Sequence, residues 1–400
     1  MQIVESFGKN VFVGKQMIGY IDREGIFINR QKFADITPDG EISYNKQKIG
    51  FVDEDGYIMI KGKEVGYIDN DNNFVFYSIN NFWGDYMIAI GIDIGGTSIK
   101  GAAIDSNGRV YEKFSMPFVK GEPGEDTIRK LASLVKEYIS AHGLEKKIVG
   151  IGIGSPGTLN VEKGIVERAY NLGWNNLCVA DIMHETLPYP IRLTNDANAA
   201  ALGEAKYGAG KQFDTVIMLT LGTGVGGGII INGKLFEGNQ GKGGELGHVV
   251  IQVDGEQCSC GRKGCLEAYS SATALIRDGK KAMRLNKRSL LWKLSPEVDL
   301  LDARTIFDGA KQGDELANKV IDNYVKYLGE GILNICNTFR PNVVVLSGGV
   351  ANAGPFLFDK INNYIRERNY GFEYTPAVDV VPAEIGYDSG KIGAAALFFK

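Results

Sequence analysis

Two hydrophobic patterns meet near residue 86. Before it, short apolar stretches alternate with polar residues and break at Asp, Asn and Gly, and the unit repeats. Lys15-Gln-Met-Ile-Gly-Tyr-Ile-Asp-Arg-Glu-Gly25 resembles Lys46-Gln-Lys-Ile-Gly-Phe-Val-Asp-Glu-Asp-Gly56, and again Lys63-Glu-Val-Gly-Tyr-Ile-Asp-Asn-Asp-Asn72; Phe33-Ala-Asp-Ile-Thr-Pro-Asp-Gly40 is a weaker copy. Gly25, Gly40, Gly56 and Asn72 thus recur every 15 or 16 residues. β-Branched and aromatic residues flanking positions that tolerate positive φ predict strand, turn, strand in each copy, and four stacked or radially arranged hairpins in all. Asp53-Glu-Asp55-Gly and Asp69-Asn-Asp71-Asn read as hairpin turns, because a calcium loop would need a distal bidentate Glu that is missing. This module, residues 1–85, carries no nucleophile, base or metal cluster. Its expected work is association, with itself or with another protein, through its Tyr and Phe positions. Ser78 to Asp85 reads as the linker.

Beyond Met87 the apolar runs are longer, and several end in glycine. Ile88 to Ile94 delivers Asp93 to a turn where Gly95 and Gly96 remove side chains and Thr97 adds a hydroxyl, with Lys100 close behind. Such a turn suits a phosphate held near a carboxylate. It fits neither the dinucleotide fingerprint nor the P-loop, and a plain glycine-rich hairpin turn is the alternative. Leu219 to Ile229 repeats the design with Thr220, Gly222, Thr223 and Gly224, and Val343 to Val350 supplies a third turn at Gly348 and Gly349. The first two turns form a pair able to clamp the phosphates of a nucleotide; the third suits the flat face of a nucleoside. Asp126 to His142 and Glu315 to Phe339 show helical spacing and read as scaffold.

Ile148 to Gly157 is another buried strand ending in an open loop, followed by Asn171-Leu-Gly-Trp174. Ile191 to Asn198 runs from strand into helix, placing Asp196 at the strand's carboxyl end. A carboxylate there can take a proton from a bound hydroxyl; alternatively it caps the helix.

His248, Cys258, Cys260 and Cys265 lie within 18 residues, with Gly255, Gly261 and Gly264 letting the loop fold back. Three sulfurs and one nitrogen suit a closed tetrahedral Zn²⁺, structural rather than catalytic; the alternative is a set of buried free thiols. The same loop brings Glu245 and Glu267 to one place with His248. Beside Asn195 and Asp196 they present the many acceptors that a polyhydroxylated ligand needs.

Charge narrows the field. Against 48 acidic residues stand 44 basic ones, a net charge of −4, so there is no basic excess for a nucleic-acid partner. No run of about 18 apolar residues and no signal-peptide pattern occur, so no membrane association and a cytoplasmic location are expected.

From about Met87 to Lys400 the chain resembles the ROK group of sugar kinases and sugar-responsive repressors. The motifs that carry the resemblance are Asp93-Ile-Gly-Gly-Thr97, Ser155-Pro-Gly157, Asn171-Leu-Gly-Trp174, Asn195-Asp-Ala-Asn198, Leu221-Gly-Thr-Gly224, Glu245-Leu-Gly-His248 with Cys258, Cys260 and Cys265, and Ser347-Gly-Gly349. It implies an α/β, actin/hexokinase-like (ribonuclease H-like) fold of two lobes, residues 86–198 plus 388–400 and residues 199–387, behind the all-β hairpin module. It further implies an ATP-dependent hexose kinase with Asp196 as general base on the sugar 6-hydroxyl. Gly157, Asn171, Asn195, Glu245, His248 and Glu267 are then sugar ligands, the three glycine turns hold the nucleotide, Asp93 lies near Mg²⁺, and His248 with the three cysteines holds structural zinc. Glucose is the expected sugar. N-acetylglucosamine or N-acetylmannosamine is an alternative substrate, and a non-catalytic sugar-binding sensor or assembly protein an alternative role. A homodimer or larger homo-oligomer is expected. The repressors of the group carry an N-terminal helix-turn-helix, whereas residues 1–85 are β-patterned, which argues against DNA binding.

Overall fold

In the computed structural model, which describes residues 9–13, 16–22, 25–28, 31–44, 47–60, 63–76, 87–371 and 374–399, the N-terminal repeats form one closed barrel. Its nine strands run from β1 (Asn10–Val13) to β9 (Phe74–Phe76). Neighbours pair antiparallel in chain order, and β9 returns beside β1 in parallel. Four stacked or radially arranged hairpins were expected; each hairpin pairs with the next, and closure of the ring removes the open edges. Val11, Ile21, Ile26, Ile42, Ile58 and Phe74 fill the interior, while Tyr57, one residue from Ile58, faces solvent.

The acidic turns of the barrel are spent on backbone. Asp53 Oδ1 accepts the amides of Asp55 and Tyr57 at 3.1 and 2.8 Å, and Asp69 Oδ1 accepts those of Asp71 and Asn73 at 3.0 and 2.9 Å. Gly56 (φ 86°) and Asn72 (φ 62°) supply the left-handed residue that closes each turn. Ser78–Asp85, read as a linker, lies outside the described residues.

The barrel belongs to one of two compact units, residues 1–87 with 134–148; residues 88–133 with 149–400 form the other. The second unit holds two five-stranded sheets. In one the order is β12 (Val110–Pro117), β11 (Ser98–Asp105), β10 (Ile88–Ile94), β13 (Ile148–Ser155), β17 (Ile191–Asn195); β14 (Thr158–Asn160), β15 (Ile165–Ala169) and β16 (Trp174–Leu177) make a small separate sheet. In the other it is β20 (Lys234–Phe236), β19 (Val225–Ile231), β18 (Val216–Leu221), β21 (Val343–Ser347), β22 (Asp379–Pro382). Each sheet thus places its first strand centrally, with an antiparallel hairpin on one side and a parallel pair on the other. The repeat has a consequence for function: β10 and β18 each end in a glycine turn at the carboxyl edge of a sheet.

Packing holds these edges in place. The helix Glu315–Phe339 is capped by Asp314, which accepts the Ala317 amide at 2.7 Å. It buries Ile321, Leu328 and Ile332 in the core that also contains Ile217, Leu219 and Leu346 of the second sheet, each such side chain contributing about 1.5–3 kcal/mol. The C-terminal helix Ser389–Ala396 is buried throughout. A Cβ on Gly152 would overlap the Ala394 carbonyl, and one on Gly393 the Ala199 carbonyl, so this helix lies backbone to backbone against β13 and the helix Asp196–Tyr207. The expected lobe boundary at residues 198/199 falls inside that last helix.

Candidate active site

β17 gives way to the helix at Asn195, whose extended backbone (φ −65°, ψ 148°) and side-chain oxygen form the N-cap, accepting the Ala197 amide at 2.9 Å. The capping role considered for Asp196 therefore belongs to its neighbour. Asp196 is the first helical residue, and its Oδ1 accepts the Ala197 amide at 2.9 Å. Asp196 keeps an exposed surface although protein surrounds its carboxylate closely. Burial raises its pKa, opposed in part by hydrogen bonds from Ala197, its own amide and Asn195.

Asp93, near the end of β10, is the second carboxylate. Burial raises its pKa first, the charge of Asp196 next, while Lys391 and Lys100 pull it down. Lys100 is its cross-strand partner on β11. Gly154 lies between the elements that present the two acids: a Cβ there would stand 3.2 Å from Ala199 Cβ, 3.7 Å from the Ile92 carbonyl oxygen and 3.8 Å from the Asp196 Cα. Gly390 does the same for the C-terminal helix, where a Cβ would stand 3.1 Å from the Asp93 carboxyl carbon.

At the first turn the Gly95 amide donates to the Ser98 carbonyl at 3.0 Å, Gly96 faces open space, and Thr97 is exposed. At the second the Gly222 amide donates to the Gly224 carbonyl at 3.0 Å, and Gly222 too faces open space. Neither Gly96 nor Gly222 adopts positive φ, so what they contribute is room. Thr220 and Thr223 flank the second turn, which the helix Ala272–Leu285 ties down: the Ala272 amide donates to the Gly222 carbonyl and Thr273 Oγ1 to the Thr223 carbonyl, both at 2.8 Å. The third turn adjoins the second, with Gly348 (φ 89°) against the Leu221 backbone and Gly349 open.

Glu245 precedes the short turn Leu246–His248 and is exposed. Gly247 of that turn lies on the Val225 backbone, where a side chain would not fit. The ligating atoms of His248, Cys258, Cys260 and Cys265 all lie within 4.8 Å of one another. His248 Nδ1 is 3.5 Å from Cys258 Sγ, and Cys260 Sγ is 3.7 Å from Cys265 Sγ. Gly261 and Gly264, at φ 91° and 80°, fold the loop back. Burial raises the Cys258 and Cys265 thiols, so a cation is what would hold them as thiolates. The donor set fits a tetrahedral S₃N metal site.

Glu267 closes this loop but is occupied by protein donors: Oε2 accepts the Val225 amide at 3.0 Å, and Oε1 accepts Ser259 Oγ at 2.5 Å and Cys258 Sγ at 3.4 Å. Metal loop, Glu245–His248 turn and second glycine turn therefore meet at Val225. The helix bearing Asp196 joins them: a Cβ on Gly226 would stand 3.0 Å from Ala197 Cβ. Asn171 lies in the turn between β15 and β16 and Gly157 in the bend before β14 of the small sheet beside β17, Asn171 exposed and Gly157 (φ 103°) against the Arg168 carbonyl.

A protein-family model described as the ROK family matches residues 89–400. The chain belongs to the ROK family. Among its ROK relatives, a glucokinase of Thermotoga maritima is 36% identical over 313 residues, 77% of this chain and 96% of that one. A xylose repressor of Caldicellulosiruptor bescii is 34% identical over 285 residues, 70% of each chain. The crystal structure of a ROK family glucokinase from Streptomyces griseus in complex with glucose and AMPPNP is similar at 32% identity and a TM-score of 0.64, covering 78% of this chain and 98% of that one. With these ROK neighbours the two-sheet body is an actin/hexokinase-like fold.

Three charged residues of this ROK body escaped the sequence reading. Glu204 is fully buried and accepts the amides of Ala209, Glu384 and Ile385 at 3.0, 3.1 and 2.8 Å; the one glutamate of an alanine-rich helix was its signal. Lys391, buried and paired with Asp388, stands in a run of small residues. Glu237 bonds Thr194 and has no local signature at all.

Proposed function

We propose that this protein is an ATP-dependent hexose kinase that phosphorylates the 6-hydroxyl of glucose. The observation that carries the reading is Asp196, a carboxylate of raised pKa at the carboxyl end of a strand, near Asp93 and beside paired glycine turns that offer open space. The glucokinase relatives support the same class of reaction, and the substrate named for the Streptomyces griseus enzyme supports glucose.

In this reading Asp196 takes the proton of the sugar hydroxyl as its oxygen attacks the γ-phosphorus, and the bond to the β,γ-bridging oxygen breaks with its electron pair leaving on ADP. The substrate is ATP with Mg²⁺, which neutralises charge on the β- and γ-phosphates. Asp93 lies on the metal side, with Lys100, Thr97 and the open glycines Gly96 and Gly222 around the phosphates. Asn195 holds the base in place through its cap, and Asn171, Gly157, Glu245 and His248 hold the sugar, joined by Glu267 through the acceptor capacity that its protein donors leave. Zinc is the metal assigned to the S₃N set, and with its four protein ligands in place it supplies structure. It would fix His248 through Nδ1 and leave Nε2 for a sugar hydroxyl.

The xylose repressor relative favours a second reading, a sugar sensor without turnover. A coupled assay with ATP, Mg²⁺ and a hexose separates the two: turnover of glucose supports the kinase, and N-acetylglucosamine or N-acetylmannosamine as the better substrate would shift its specificity. Binding of sugar without turnover of any of them would favour the sensor.

A further inference from the structure

A hydrogen bond joins the strand that carries Asp196 to the loop that leads to Glu245 and His248. Thr194, fully buried in β17 two residues before Asp196, donates its hydroxyl to Glu237 Oε1 at 2.6 Å. Glu237 follows β20 of the other sheet, so the bond runs between the two sheets. It is half-buried, and burial raises its pKa against the pull of the Thr194 hydroxyl.

From Glu237 the chain makes a narrow loop to Glu245. The Gly243 amide donates to the Glu237 carbonyl at 2.7 Å and closes the loop at its base. Gly238, Gln240, Gly241 and Gly244 all take positive φ, from 57° to 80°, so the loop has one tightly wound path. Its tip rests on the small sheet beside β17: Gly241 lies against Val161, and Lys242 Nζ pairs with Glu167 at 2.9 Å. That ion pair keeps about a third of each side chain in contact with water, which screens it. The Thr194–Glu237 bond holds more, because breaking it strands the fully buried Thr194 hydroxyl away from water.

The geometry points to Glu237 as a positioning residue for the acceptor sugar. Through Thr194 it ties the loop that leads to the Glu245–His248 turn to the strand that presents Asp196, while the nucleotide turn has anchors of its own in Ala272 and Thr273. This inference rests on the kinase reading, in which Glu245 and His248 hold the sugar. Loss of the bond should therefore weaken the hexose and leave ATP untouched.

The test is a double-mutant cycle on the full chain, using Thr194→Val, Glu237→Ala and the pair, with Glu237→Gln and Thr194→Ser as conservative variants and kcat and both KM values measured for each. Thr194→Val and Glu237→Ala should each raise the hexose KM about five- to tenfold, and the pair no more than either alone, since both remove one bond. The KM for ATP should stay within about twofold, and Glu237→Gln and Thr194→Ser, which keep an acceptor and a donor, should restore most of the hexose KM. Multiplying effects in the pair, an equal rise in the KM for ATP, or conservative variants as impaired as the truncations would overturn the assignment. Should Thr194→Val not fold, Thr194→Ser and the two Glu237 variants decide by the same KM split. If the unmodified protein phosphorylates no hexose, the kinase reading fails by itself. The cycle is then run on glucose dissociation constants by calorimetry, where additive effects or undetectable glucose binding overturn the assignment.

Discussion

The Val225 amide donates to Glu267 Oε2 at 3.0 Å, so the residue that follows the second glycine turn is held by the residue that closes the metal loop. Glu267 in turn accepts Ser259, which stands between two of the metal-cluster cysteines. Metal loop and second glycine turn are consequently one mechanical unit, and Val225 also bears the turn that carries Glu245 and His248.

Metal removal should therefore act on substrate binding before it acts on folding. Chelation, or Cys260→Ser, is expected to release one zinc per chain and to raise the hexose KM about tenfold, with the main thermal transition still present. Metal analysis, steady-state kinetics and calorimetry check the three parts. A Cys260→Ser protein with an unaltered hexose KM would contradict the coupling.

Asp196→Asn should lower kcat by about 10²-fold or more while sugar still binds. The same change should leave the melting temperature unchanged or raise it, for a reason of sign. Because folding raises the Asp196 pKa, the native carboxyl holds its proton more tightly than the unfolded one. Its ionisation therefore costs stability as pH rises from the ordinary aspartate value of about 3.9. The advantage of the Asn variant should grow with pH across that interval and then level off, which melting curves from pH 4 to 8 would show. An Asn variant that is less stable at neutral pH would count against the raised pKa.

The pH dependence of turnover has the same origin. A general base works only when deprotonated, so the acidic limb of kcat/KM should lie above the range of an ordinary aspartate, with activity increasing as pH rises. A rate profile from pH 4 to 9 tests this, and a profile with no acidic limb would remove Asp196 as the titrating group.

Two kinds of glycine should respond differently to alanine. Gly152 and Gly393 face backbone carbonyls that a Cβ would overlap, so Gly152→Ala and Gly393→Ala should lose about 1–3 kcal/mol or more of stability. Gly96 and Gly222 face open space without positive φ. Gly96→Ala and Gly222→Ala should fold as the parent does, yet raise the KM for ATP if that space receives phosphates. Denaturant melts beside ATP titrations separate the two groups.

How far these features could be read in the sequence depended on whether local chemistry fixed them. The barrel's turns were legible, because Asp53 and Asp69 need only residues two and four positions away. Closure was not, since the pairing of β1 with β9 joins residues over sixty positions apart and leaves no local pattern. The site motifs were legible one by one, through glycines at strand ends and ligand spacing. Their convergence on Val225 and the fate of Glu267 were not, because a carboxylate's partners are set by packing. Asn195 took the cap that Asp196 was also able to make, a choice that depends on a one-residue difference in where the helix begins.

Turnover of purified protein with ATP, Mg²⁺ and a panel of glucose, mannose, fructose, N-acetylglucosamine and N-acetylmannosamine, run beside Asp196→Asn, tests the kinase reading. ATP-dependent formation of glucose 6-phosphate is expected, reduced about 10²-fold or more in the variant. No phosphorylation of any sugar in the panel, or full activity in Asp196→Asn, would contradict it.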